Sequence, residues 1–282
     1  MTTKPPEQLP VGFDPAMAIF MAKASAAVYD TPPGTLLEFA NQFMFEHPGF
    51  EIHVIPSALT DSLCLTIESG DVLYVIFRGT RSLKNLITDL EAEIVPIGYP
   101  KFILPVPDTK VHRGFQIALD SLWPDLLPIL NAYIYNAQII PHKVFIGGHS
   151  LGAGIGAECA GYIWEKFRLS PIGYTFGQPR VGNAAWRKFF QFAFPNWYRM
   201  IHCNDVVCRI PAILRLYRQT EIEMFFDNAD ELHVNWPWWK KLPSDIRGIC
   251  RHRWIDVDVL LEDHHVSSYV ALLEKKWGKK DV

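Results

Sequence analysis

Ser150 lies in the run Val144-Phe145-Ile146-Gly147-Gly148-His149-Ser150-Leu151-Gly152-Ala153-Gly154, an apolar strand-like stretch that ends in the pattern GxSxG and passes directly into small residues. GxSxG alone arises by chance, so the strand-turn-helix setting carries the reading. A serine at the tip of such a turn takes strained backbone angles, and the residues two before and two after it must lack bulk so that strand and helix approach. Gly148 and Gly152 meet that need, with His149 between glycine and serine. A helix starting here points N–H groups at the serine, which leaves the Leu151 N–H to stabilise the oxyanion of a tetrahedral intermediate. A serine hydroxyl becomes a good nucleophile only when a histidine takes its proton, and that histidine needs a carboxylate to fix its tautomer. Where a strand-turn-helix carries the serine, the chain order is serine, acid, histidine. Asp205 follows a strand-like segment, where an aspartate also caps turns, and His264 and His265 stand near the C-terminus.

The elements around these residues follow from hydrophobic periodicity. Asp14 to Tyr29 has helical spacing, and Leu63 to Ile67 with Val72 to Phe77 flank the turn Ser69-Gly70-Asp71 as a β-hairpin. Phe115 to Tyr135 reads as helix despite Pro124 and Pro128, Lys143 to Gly147 as strand and Leu151 to Phe167 as helix. Ile172 to Phe176 as strand, Ala184 to Phe194 as helix and Tyr198 to His202 as strand continue the alternation, with a last helix over His264 to Trp277. Alternating strands and helices imply an α/β fold with a mostly parallel sheet and crossover helices. Leu214 to Val234 alternates loosely, as an added hairpin would, and Trp236 to Lys241 has no assignment.

With 282 residues, 49% hydrophobic and 20% charged, the chain can bury a large core, and no repeat or low-complexity linker divides it. The expectation is one domain over residues 1–282, preceded by a disordered lead at 1–12. A formal charge of -3, from 27 basic and 30 acidic residues, gives no global field for nucleic acid. Cys64, Cys159, Cys203, Cys208 and Cys250 form no CxxC pair. Acids rather than bases precede the short apolar run from Pro15 to Ala22. A reduced, cytoplasmic location is therefore expected, with secretion lacking a recognisable leader left open. No apolar run has the length of a membrane span.

From Leu73 to about Tyr269 the chain resembles the class 3 lipase family, which includes filamentous-fungal triacylglycerol lipases. The motifs that carry the resemblance are Ile76-Phe77-Arg78-Gly79-Thr80 with Asn85-Leu86-Ile87-Thr88-Asp89-Leu90, Val111-His112-Arg113-Gly114-Phe115, Gly148-His149-Ser150-Leu151-Gly152-Ala153, and Tyr174-Thr175-Phe176-Gly177-Gln178-Pro179-Arg180-Val181-Gly182-Asn183. The resemblance implies an α/β-hydrolase fold, a serine triad, and neither metal nor organic cofactor. His202-Cys203-Asn204-Asp205-Val206-Val207-Cys208-Arg209-Ile210-Pro211 is similar to the family's HxNDxVxRxP segment and makes Asp205 the acid. Asp263-His264-His265-Val266-Ser267-Ser268-Tyr269 is similar to its DHxxxxY pattern, where counting back from Tyr269 selects His264 over His265. Thr80 occupies the position of the second oxyanion donor. Leu83, Leu86, Ile87, Leu90 and Ile94 form an amphipathic helical stretch after Ser82, in the region of the family's lid, although Leu86 stands where members commonly carry tryptophan. The expected function is hydrolysis of lipid or small-molecule esters through an acyl-enzyme, foremost of triacylglycerols, with transient binding to lipid interfaces. Phospholipase A1, feruloyl-type esterase and a lipid-binding pseudoenzyme are the alternatives, because fold does not settle substrate.

Overall fold

The computed structural model describes residues 9–29, 38–39, 41–42, 49–79, 93–97, 105–136, 143–203, 205–211, 217, 221–237 and 262–278. Asp14 caps the first helix, α1 (Pro15–Ala27): its side chain accepts from the Ala16 N–H, and Pro15 needs no N–H partner at the first position. Strands β1 (Glu51–Pro56), β2 (Leu63–Ser69) and β3 (Val72–Arg78) pair antiparallel in sequence order. The hairpin at Gly70 is thus the centre of a three-strand meander. A separate small ribbon joins β4 (Ile94–Pro96) to β5 (Lys110–His112) and leads into α2 (Arg113–Asn136).

The alternation then runs as β6 (Lys143–His149), α3 (Leu151–Phe167), β7 (Ile172–Phe176), α4 (Ala184–Ala193) and β8 (Trp197–His202). A hairpin of β9 (Ile222–Phe226) and β10 (Leu232–Val234) follows, and the chain closes with α5 (Val266–Trp277). Together the strands form an eight-stranded sheet in the order β1-β2-β3-β6-β7-β8-β9-β10. Its centre, β3-β6-β7-β8-β9, is parallel, and both margins are antiparallel. This is the α/β-hydrolase architecture.

Strand side chains alternate faces, so the sheet is buried on both sides. Leu73, Val75, Phe77, Val144 and Ile146 face the core shared with α2, α3 and α4. Ile76, Phe145, Tyr174, Phe176 and Met200 face the core shared with α1 and α5.

Three expectations change. Ile94 opens β4, paired to His112, so it is not the end of an amphipathic helix; the candidate lid residues Leu83, Leu86, Ile87 and Leu90 lie outside the described residues. His264 precedes α5, in a 3-10 turn (Glu262–His264), because α5 starts only after His265. Residues 9–12 of the expected disordered lead form a turn whose Val11 carbonyl accepts from the Tyr198 hydroxyl; residues 1–8 lie outside the described residues. Within the expected hairpin at Leu214 to Val234, residues 222–234 form β9 and β10, and residues 214–216 and 218–220 lie outside the described residues. Trp236 packs on Phe225 and stacks on His233, and residues 238–241 lie outside the described set.

Glu158, on α3, is fully buried, and neither of its carboxyl oxygens has a hydrogen-bond partner among the described residues. Burial first, and the charge of Asp120 second, hold its carboxyl well above the usual carboxylate range. The folded state therefore keeps this proton at pH values where the unfolded chain, titrating near 4.5, has lost it. Stability from this group falls as pH rises above that value, by about 1.4 kcal/mol per pH unit of the window. Glu158→Gln should thus melt increasingly higher than the parent as pH is raised from 5 to 8; equal pH slopes in thermal melts would show that Glu158 is ionised in the fold.

Candidate active site

Ser150 occupies the turn between β6 and α3 with φ 57° and ψ -128°, a left-handed conformation that non-glycine residues seldom adopt. The turn closes only because strand and helix nearly touch. A Cβ on Gly152 would lie 2.2 Å from the Phe77 carbonyl oxygen, and one on Gly148 would lie 2.6 Å from the Gly152 backbone. Gly79, at the end of β3, packs equally close: its Cβ would fall 2.3 Å from that of Leu151. The Ser150 N–H donates to the Phe176 carbonyl at 3.0 Å, which ties the turn to β7. The Leu151 N–H is the first of α3, so it has no acceptor inside the helix. Thr80 lies outside the described residues.

The structure brings Ser150, His264 and Asp205 together. His264 Nδ1 is 2.8 Å from Asp205 Oδ2, and its Nε2 is 2.8 Å from Ser150 Oγ. A carboxylate only accepts, so Nδ1 carries the proton and Nε2 presents its lone pair to the serine hydroxyl. Both roles considered for an aspartate after β8 are filled, one by each oxygen. Oδ1 accepts from the Val207 N–H at 2.9 Å, a turn bond that leads into the 3-10 turn Val207–Arg209; Oδ2 accepts from His264 and, at 2.6 Å, from the Tyr269 hydroxyl. The Tyr269 oxygen in turn accepts the His202 N–H at 3.1 Å, which links β8 to α5.

Asp205 is fully buried, and burial alone would raise its pKa; His264, with its charge and hydrogen bond, and the Tyr269 hydroxyl outweigh that and bring it from 3.8 to about 2. Its stabilisation of the fold is complete above 3.8 and is lost as pH falls through about 2. His265, the rival base, is exposed at the N-cap of α5, whereas His264 is fully buried.

Gly177 and Tyr269 also belong to the site, although the sequence pattern marks no such role: the first stands inside a longer motif, and the second only fixes the register of His264. Gly177 follows β7 with φ 59°, and a Cβ there would sit 2.8 Å from the His264 ring and 2.9 Å from Asp205 Oδ2. The signal was a glycine at the end of a parallel strand, where loops build sites. Gly177→Ala should leave a folded protein with a displaced His264–Asp205 pair. Covalent labelling of Ser150 by a fluorophosphonate should then slow on the order of a hundredfold; labelling at the parent rate would show that the pair tolerates a methyl group.

Comparison with known proteins bears on the same residues. The family model "Lipase (class 3)" matches residues 74–215. A lipase of Rhizomucor miehei is 32% identical over 157 residues, which are 54% of this chain and 41% of that protein. The secreted mono- and diacylglycerol lipase 1 of Fusarium solani is 31% identical over 159 residues, 56% of this chain and 44% of that protein. The chain thus matches less than half the length of these relatives. The crystal structure of a lipase from Rhizopus microsporus var. chinensis superposes with a TM-score of 0.66 at 24% identity, covering 83% of each chain, and shows the shared fold. The secreted relative overturns the cytoplasmic expectation. The cysteines offered it no support either: Cys64, Cys159, Cys203 and Cys208 are buried, and a buried free thiol reports no compartment. With its family model matching from β3 past β8, this chain belongs to the class 3 lipases.

Proposed function

We propose that the protein hydrolyses carboxylic esters of lipids, triacylglycerols foremost. The observation that carries this reading is the hydrogen-bonded series Ser150, His264, Asp205 behind a serine in a strained turn. Ser150 Oγ attacks the ester carbonyl as His264 Nε2 takes its proton, and Asp205 stabilises the imidazolium. The Leu151 N–H, with Thr80 as the second donor, holds the oxyanion. The protonated His264 then delivers its proton to the leaving alcohol. Water, activated by the same imidazole, releases the fatty acid from the acyl-enzyme. The curated relatives named as lipases support a lipid substrate.

Ser150→Ala should abolish p-nitrophenyl butyrate hydrolysis. His264→Ala should lose about three orders of magnitude in kcat, while His265→Ala loses little; the reverse ranking would transfer the base to His265. Turnover of triolein against phosphatidylcholine and methyl ferulate ranks the substrate classes. No turnover of any ester, with Ser150 unlabelled, would sink the enzyme reading.

Ser150 is only 1% exposed, and we infer that the site opens to admit an ester. Apolar surface uncovered by opening is costly in water and is recovered against lipid. We infer transient attachment to lipid interfaces. Activity on tributyrin should climb more steeply once the substrate exceeds its solubility; a simple saturation curve through that point would argue against interfacial opening. No helix among the described residues is long and apolar enough to cross a membrane.

A further inference from the structure

β6 delivers His149 to the site beside the serine, yet the proton relay proposed above makes no use of it. The side chain is buried, and its Nε2 lies within hydrogen-bond distance of the backbone carbonyl oxygen of His264. A carbonyl only accepts, so Nε2 carries the proton and the lone pair stands on Nδ1. Nδ1 is itself buried without a hydrogen-bond partner among the described residues. The other tautomer would break the bond to His264 and bury an unpaired N–H, which costs more than an unpaired lone pair next to no donor. One tautomer is thus selected.

The ring has little freedom to turn. Tyr29 meets it edge-on at 5.7 Å and Tyr269 at 6.0 Å, and the His264 ring lies 4.6 Å away, tilted by 37°. Tyr29 further donates its hydroxyl to the His149 carbonyl at 3.0 Å and is hydrogen-bonded to the Gly79 backbone, so it joins the ends of β6 and β3. Burial, then the charge of His264, oppose a second proton on His149, and so does His265; Asp205 favours it. The balance takes His149 from 6.5 down to about 3. A neutral ring beside His264 adds no repulsion when that residue becomes an imidazolium.

We propose that His149 is a positioning residue of the triad: its Nε2–H clamps the His264 backbone and so keeps the His264 imidazole seated between Ser150 and Asp205. This rests on the ester-hydrolase reading above. The His264 side chain is held by Ser150 and Asp205, but the 3-10 turn that carries it is held to the strand of the nucleophile by His149. Losing the clamp lets the backbone drift relative to Ser150, and a drift of about 1 Å is worth on the order of a hundredfold in rate.

Two variants test it. His149→Leu keeps a buried side chain and has no donor; His149→Gln keeps an amide N–H at the reach of Nε2. On p-nitrophenyl butyrate, His149→Leu should lose at least about tenfold in kcat with KM nearly unchanged, and fluorophosphonate labelling should slow in parallel. His149→Gln should regain most of kcat and the parent labelling rate. Parental kinetics for His149→Leu, or equal impairment of both variants, overturns the clamp. Should His149→Leu fail to fold, nitrogen NMR of the parent decides: His149 should show a protonated Nε2 and no titration between pH 5 and 8, and a protonated Nδ1 or a midpoint in that range overturns the proposal. Ser150→Ala separates the two readings. If it is inactive while His149→Leu behaves as the parent, the clamp alone fails; if it still turns over ester, the hydrolase reading fails, and the NMR result judges the His149 tautomer independently.

Discussion

Everything at this site hangs on the approach of α3 to the ends of β3 and β6. The turn at Ser150 carries a backbone strain on the order of 1–3 kcal/mol, and it persists only because the surrounding packing leaves no alternative. Carbonyl Phe77, Gly79 and the Gly148–Gly152 contact occupy the volume into which the turn would relax. Five parallel strands and helices on both faces fix those backbones in turn. Burying a single core leucine or phenylalanine contributes about 1.5–3 kcal/mol, so a two-sided core offsets the strain many times over. The turn places Ser150 at the C-terminal end of β6, in the middle of the sheet, with α3 starting at the next residue.

The same geometry governs the acid. Asp205 is buried completely, and a lone carboxylate there would take up a proton and lose its function. Three donors prevent this: the Val207 N–H on one oxygen, and His264 with Tyr269 on the other. They come from the turn after β8, the turn before α5 and α5 itself, so the ionised state of one carboxyl depends on the docking of the C-terminal helix. Glu158 is the counterexample in the same molecule. It is equally buried, has an acid rather than a histidine for its neighbour, and its pKa moves the other way.

Much of this was legible in the sequence where local pattern and tertiary demand agree. α3 was readable to the residue because Ser150 starts it abruptly and its small residues suit close packing on the strands. The hairpin at Gly70 was readable from its turn, and the meeting of Ser150, Asp205 and His264 from motif and chain order. What escaped was set by contacts distant in sequence. Ile94 continues an amphipathic pattern on paper, yet pairing with His112 draws it into a ribbon. His264 fits the helical periodicity that follows it, but its bonds to Ser150 and Asp205 hold it in the preceding turn. Gly177 resembles any loop glycine until the His264 ring is seen to fill its side-chain space. The compartment was misread because reduced thiols were taken as a sign of location, when Cys64 and Cys159 serve as small apolar packing groups.

The histidines show how environment divides one residue type into different tasks. His264 presents one nitrogen to a carboxylate and the other to a hydroxyl, so it can accept a proton and remain bonded on both sides. His149, 4.6 Å away, has a carbonyl on one nitrogen and no partner on the other among the described residues, and burial depresses its pKa to about 3. A second proton on His149 would gain no acceptor among the described residues and would be buried against the His264 ring. Two adjacent imidazoles are therefore unlike in their surroundings: His264 has a hydroxyl and a carboxylate on its two nitrogens, whereas burial holds His149 neutral.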